Sequence, residues 1–337
     1  VIDLATGAYS TAQRPTPASV RAAGKSPRAL FEHGDAVSDF AWQVMSQTLV
    51  YATELIPEIA QDVVAVDKAM TLGYAWKHGP FELIDRIGAS WFTERLKTEG
   101  RNIPALLASA AEKGGFYRVE GGRLQYLSTD DEYVTVKRAP GILLLSDIKR
   151  AGEPITRNGS ASLWDIGSGV ACLEFHTKMN AIDPDVLNML SKSVEIVSRD
   201  YKALVLHNEG TNYSVGVNLG LALFAANVAA WQVMEDMIKR GQDVFKELKF
   251  APFPVVGAPS GMALGGGCES LLHCDAVQAH AESYIGLVEV GVGLIPGWGG
   301  CKELLVRGLT GKRGGIFGGG AMPVISKLFQ TIGLAKV

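Results

Sequence analysis

The stretch Pro259-Ser260-Gly261-Met262-Ala263-Leu264-Gly265-Gly266-Gly267-Cys268-Glu269 decides how the second half of this chain is read. It follows Val255 to Ala258, which reads as a strand, and it leads into Cys268, Leu271 and Leu272 at helical spacing. Glycines between a strand and a helix let the backbone approach a ligand closely and leave N–H groups unpaired at the helix start. Those groups favour a developing negative charge. The same pattern also fits a tight strand-to-helix turn whose glycines serve packing, and this segment alone leaves both readings open.

Two further glycine turns flank it. Tyr213-Ser214-Val215-Gly216-Val217-Asn218 follows a buried strand predicted over Ala203 to His207, and Gly291 to Gly300 (GVGLIPGWGG) follows Glu289. Val170 to Phe175 reads as another strand. Val186, Leu187, Leu190, Val194 and Val197 line one face of a helix, and a long helix is predicted within 227–249. This alternation implies a layered α/β architecture. Glu269 and Glu289 stand beside glycine turns in apolar surroundings, where an isolated carboxylate is costly to bury unless it is paired or functional. Two carboxylates at one site can hold different protonation states, as acid/base chemistry at a neutral carbon requires.

The first half has a different character. Residues 1–27 are rich in Ser, Thr, Pro and Ala and read as an extended or poorly ordered leader. Residues 28–113 read as helical. Phe40, Val44, Thr48 and Tyr51 recur at helical steps, as do Ile59, Val63, Val66 and Met70, with Pro57 suited to the first turn of the second run. Residues 114–165 read as a hairpin turning at Gly121-Gly122, then a linker. Residues 166–337 carry the alternating pattern.

Composition excludes several classes. Hydrophobic residues at 47% and charged residues at 20% describe a globular chain. A net charge of −3 with scattered basic residues argues against a nucleic-acid surface. The four cysteines form no CxxC pair, which suits reduced thiols and a cytoplasmic protein. The start of the chain lacks a signal-peptide pattern, and its least polar stretch, Val215 to Trp231, is too short and too polar to span a bilayer. Gly291-x-Gly293-x-x-Pro296 lacks the third glycine of a dinucleotide fingerprint. Glu269, His273 and Cys274 share a helix face, but no second ligand cluster accompanies them, so no metal is expected.

In order, YSVGVN, GMALGGGCE, VE and IPGWGG resemble the turns of the enoyl-CoA hydratase/isomerase (crotonase) superfamily. The separation of the carboxylates, 289 − 269 = 20 residues, matches that of family hydratases. VACLEFHTKMNAI resembles the family's opening strand and adenine-side loop, so the resemblance covers about 170–310. It implies a crotonase-type spiral of ββα units. It also implies an oxyanion hole from the backbone N–H groups of Val217 and Gly266, and Glu269 and Glu289 as the acid/base pair. Gly297 would help place the water, and Met179, Asn180 and Ala181 would border the coenzyme A adenine. Asn218 departs from the family's usual Asp and Val217 from its usual Ala, though neither change removes a backbone N–H. Members normally continue for several more helices beyond the last motif, so the domain is expected to be C-terminally truncated at Val337.

VDKAMTLGYAWKHGPFELIDRIG, residues 66–88, resembles the C-terminal helical domain of 3-hydroxyacyl-CoA dehydrogenases. Together the halves are similar to part of a multifunctional β-oxidation protein. The resemblance implies an enoyl-CoA hydratase acting on an acyl-CoA substrate, with a Δ3,Δ2-enoyl-CoA isomerase or a non-catalytic acyl-CoA-binding fragment as alternatives. It implies no cofactor in this chain, NAD belonging to a dehydrogenase domain elsewhere. Its implied partners are further copies of the chain, since members often form trimers, and that dinucleotide-binding domain.

Overall fold

Some helices of the first half start where a side chain can take backbone N–H groups that lack a helical acceptor. In a computed structural model, which describes residues 2–3, 6–9, 11, 16–310 and 321–337, Asp35 and Asp62 each accept a backbone N–H at 2.8 Å, from Ser38 and Ala65. The rest of the leader, and residues 311–320 of the second half, lie outside the described residues. The helices are α1 (Ala18–Ala23), α2 (Pro27–Glu32), α3 (Ala36–Glu54), α4 (Val63–Gly73), α5 (Pro80–Ile87), α6 (Ala89–Thr98) and α7 (Ala105–Lys113). They are followed by an antiparallel sheet of β1 (Tyr117–Glu120), β2 (Arg123–Leu127) and β3 (Tyr133–Thr135). The turn between β1 and β2 uses Gly121 and Gly122, both at positive φ.

Two details of the helices differ from the sequence pattern. Pro57 does not open a helix: α4 begins at Val63, because the Asp62 carboxylate supplies the cap there, and Ile59 stays exposed. On α3 the regular stripe Phe40, Val44 and Tyr51 faces outward, with Phe40 at 69% exposure. The buried face is Trp42, Leu49 and Val50 with the small residues Ser38, Ser46 and Thr53. Trp42 decides this face, since it packs edge-on against Phe31, Trp91 and Phe92 at 5.4–5.7 Å. Asp67 ties α4 to α5 by accepting the N–H groups of Phe81 and Glu82 and the hydroxyl of Tyr117.

The chain divides into two compact units, Val1–Leu143 and Leu144–Val337. The second opens with α8 (Leu145–Ala151), β4 (Thr156–Arg157), β5 (Ala161–Asp165) and β6 (Val170–Phe175). It continues with α9 (Pro184–Asp200), β7 (Ala203–Leu206), β8 (Asn212–Ser214), α10 (Leu219–Asn227) and α11 (Trp231–Lys249). Then come β9 (Val255–Gly257), β10 (Met262–Leu264), α12 (Gly266–Leu272), β11 (Ala276–Val277), β12 (Tyr284–Gly286), α13 (Gly300–Thr310) and α14 (Met322–Gly333).

The strands form two sheets, ordered β11-β9-β7-β6-β5-β4 and β12-β10-β8. β4, β5 and β6 pair antiparallel, and every other pairing is parallel. Three times the chain lays a strand in the larger sheet, the next in the smaller one, and then turns into helix: β7-β8, β9-β10 and β11-β12. This is a spiral of ββα units. The predicted face of α9 is the buried one, Val186, Leu187, Leu190 and Val197, and Asp183 with Pro184 fixes its start. Among the described residues no helix is long and apolar enough to cross a membrane.

Candidate active site

Parallel strands deliver the chain to one common edge, the carboxyl ends of the strands, where loops can converge on a ligand. In the smaller sheet β8 runs out into Gly216, β10 into Gly265 and β12 towards Glu289. Gly216 has φ +80°, and a Cβ there would stand 2.7 Å from the Gly266 nitrogen, so only glycine allows this approach. It brings the Val217 and Gly266 backbones together. Gly266 opens α12, and among the described residues neither its N–H nor that of Val217 donates to an acceptor.

Glu269 sits one turn into α12 and is 2% exposed. Its Oε1 accepts the backbone N–H of Trp298 at 2.9 Å and of Gly300 at 2.8 Å. Burial pushes its carboxyl up to about 7; the Gly300 hydrogen bond opposes the rise and the Glu289 charge adds to it. Glu289 lies on a single 3-10 turn, Glu289–Val292, half-buried, and burial raises its carboxyl too. Its Oε2 is buried and has no hydrogen-bond partner among the described residues, and its Oε1 would stand 3.2 Å from a Cβ on Gly265. The two carboxyl groups therefore flank Gly265-Gly266 within each other's field. Two carboxyl groups so placed resist being ionised together.

The remaining predicted residues lie around this centre. Met179 and Asn180 adopt left-handed backbone on the 3-10 turn Lys178–Asn180, and the Asn180 side chain donates to the Asn212 carbonyl at 2.8 Å. Ala181 leads to Ile182, whose N–H donates to the Gly216 carbonyl at 2.8 Å, so this turn abuts the Val217 backbone. The Gly297 carbonyl accepts from Gln242 Nε2 at 2.7 Å. An apolar groove of about 920 Å³ starts at Val290, which follows Glu289 in the chain, and is lined further by Ile295, Pro296, Leu305, Ile325 and Phe329.

Supporting groups stand behind Glu269, of which Lys249 and Glu303 escape a reading of the sequence. His273 donates through Nδ1 to the Glu269 carbonyl at 2.7 Å, since a carbonyl only accepts. Its other nitrogen faces Glu303 at 3.6 Å. Glu303 is buried and paired with Lys249 at 2.5 Å and with Lys302, which holds its carboxyl below the usual range. Helical spacing links Glu269 to His273, but nothing local marks Lys249 or Glu303 as their neighbours.

Residues 165–313 match the family described as enoyl-CoA hydratase/isomerase. That segment is a crotonase-type domain of this family, preceded in the chain by a helical part. Over 312 residues the chain is 40% identical to a probable 3-hydroxyacyl-CoA dehydrogenase of Bacillus subtilis (strain 168), a match covering 92% of this chain and 39% of that relative. A putative fatty acid oxidation complex trifunctional enzyme of Rickettsia felis is 30% identical, over 79% of this chain and 34% of its own. The chain thus spans about two fifths or less of these relatives' length. Among solved structures, an enoyl-CoA hydratase from Polaromonas sp. JS666 is similar at 22% identity and a TM-score of 0.45, over 53% of this chain and 64% of that one.

Proposed function

We propose that the second unit hydrates trans-2-enoyl-CoA to 3-hydroxyacyl-CoA by syn addition, within a larger protein that also carries 3-hydroxyacyl-CoA dehydrogenase activity. The observation that carries this reading is the pair of carboxyl groups, one buried and one half-buried, beside two backbone N–H groups that have no acceptor among the described residues. The N–H groups of Val217 and Gly266 hold the thioester oxygen, and preorganised donors of this kind are usually the largest catalytic contribution. Glu269, as carboxylate, takes a proton from water while the water oxygen bonds to C3. The C2–C3 π electrons move into the thioester, whose oxygen carries the charge. Glu289, as carboxylic acid, gives its proton to C2 as the carbonyl re-forms. The proton gained by Glu269 then resets the pair through solvent.

In this reading the Gly297 backbone places the water, and the backbone of Met179, Asn180 and Ala181 borders the adenine of coenzyme A. The apolar groove that starts at Val290 takes the acyl tail. Coenzyme A arrives as part of the substrate, and this chain needs no cofactor of its own; NAD serves a dehydrogenase domain outside it. Further copies of the chain and that domain are its partners.

One observation favours Δ3,Δ2-isomerisation as a second reading. Two N–H groups hold Glu269, whereas no described residue bonds to Glu289 Oε2, as a single proton-shuttling carboxylate requires. Loss of enoyl absorbance with crotonyl-CoA, and its gain with a 3-enoyl-CoA, separate the two. Hydration that collapses in both Glu269→Gln and Glu289→Gln supports the first. Isomerisation that survives Glu269→Gln, without hydration in the wild type, replaces it with the second.

A further inference from the structure

Trp298 touches both halves of the candidate site. Its backbone N–H donates to Glu269 Oε1 at 2.9 Å, and its indole lies against Gly266, where a Cβ would come within 2.8 Å of Cζ3. The opposite edge of the ring lies against Gly241 of α11, where a Cβ would meet Nε1 at 2.1 Å. Phe245, one turn along α11, packs edge-on to the indole at 5.3 Å, and Gln242 holds the neighbouring Gly297 carbonyl. Trp298 itself is 3% exposed.

We infer that Trp298 is a positioning residue, a spacer between α11 and Gly266 that sets where the Gly266 N–H lies relative to the Glu269 carboxylate. The inference rests on the oxyanion role proposed for Gly266. The indole fills the gap because its two fused rings reach from one glycine to the other. A phenylalanine ring is one ring shorter and leaves one contact open. Gly241 is glycine for the same reason: a methyl there drives the indole towards Gly266. A shift of about 1 Å in such a group costs on the order of a hundredfold in rate.

The test compares Trp298→Phe, Gly241→Ala and the double variant with the wild type. Turnover is followed with crotonyl-CoA, and carbonyl polarisation by the infrared stretch of the thioester in bound butyryl-CoA, which has no double bond to hydrate. Each single variant is expected to lower kcat by about 10- to 100-fold, with KM changing less than about threefold, and to return the bound carbonyl stretch towards its value in water. The methyl of Gly241→Ala occupies space that Trp298→Phe vacates, so the double variant is expected to be no slower than Trp298→Phe alone. Unchanged kcat and carbonyl stretch in either folded single variant overturn the inference, as does an additive double variant. So does a wild-type spectrum with no lowering of the stretch. A lowered stretch that depends on Trp298, in a wild type that does not hydrate crotonyl-CoA, sinks the hydratase reading and leaves the spacer standing.

Discussion

Replacing Glu269 with glutamine should abolish hydration and stabilise the second unit. Glutamine keeps the side-chain oxygen that accepts from Trp298 and Gly300, so the local geometry has no reason to move. What it removes is the proposed acid/base group, a loss of about 10²- to 10⁴-fold in turnover. What it also removes is a charge that the fold disfavours. Burial raises this carboxyl from 4.5 to about 7, and each unit corresponds to about 1.4 kcal/mol, so the ionised form costs at most about 3–4 kcal/mol. Below pH 4.5 the carboxyl is protonated both folded and unfolded, and the penalty is absent. Between 4.5 and about 7 the unfolded chain ionises first, and the wild type loses this stability as pH rises; above about 7 the difference is constant. Urea midpoints of wild type and Glu269→Gln, compared at pH 5 and pH 8, measure it. A gap favouring glutamine that widens towards pH 8 is expected. A variant less stable than wild type at pH 8, or a gap independent of pH, would refute the argument that burial dominates the carboxyl's environment.

Three further outcomes are expected. The rate constant kcat/KM should pass through a maximum with pH, falling on the acid side as Glu269 gains a proton near 7 and on the alkaline side as Glu289 loses the proton it gives to C2; stopped-flow rates at fixed ionic strength from about pH 5 to pH 9 test the shape. Gly300→Ala should slow turnover at least tenfold with a modest loss of stability, since its methyl would stand 2.8 Å from Leu287 and 3.0 Å from Glu269 Cγ; steady-state kinetics beside a thermal melt check both. Asp67→Ala should destabilise the first unit by about 2–4 kcal/mol, as three donors lose one buried acceptor; a shift in its urea midpoint, with crotonyl-CoA turnover kept, is the signature.

How far residues alone reveal this architecture depends on how local the signal is. The glycine turns at 216, 265–267 and 297–300 are visible because backbone geometry restricts their residue types, and they bracket the space where Val217, Gly266, Glu269 and Glu289 converge. The α9 face was legible because its apolar period matches its burial. On α3 the period identified the helix but not its inner face, because Trp42 and small polar residues pack inward while Phe40 and Tyr51 stand outside. Residues 144–165 show no period, yet they hold α8 and the antiparallel strands β4 and β5; β5 owes its form to pairing with β6, and β4 to pairing with β5. Trp298 against Gly241, and Lys249 against Glu303, are encounters between residues more than 50 positions apart, and no local pattern announces them.

The parallel pairing of β8, β10 and β12 also bears on how the unit comes to be folded. Met262 lies opposite Asn212 on one side and Tyr284 on the other, so neither neighbour can be joined to β10 by a tight hairpin. Closing those loops is an entropic debt met before the strands begin to hold one another, and topologies of this kind form slowly. The proposed acid/base pair has no existence in a partly collapsed chain, because Glu269 follows β10 and Glu289 follows β12, and the two meet only once those strands have paired. Catalytic competence during refolding is therefore a reporter of long-range strand registry, and should lag behind recovery of helical signal.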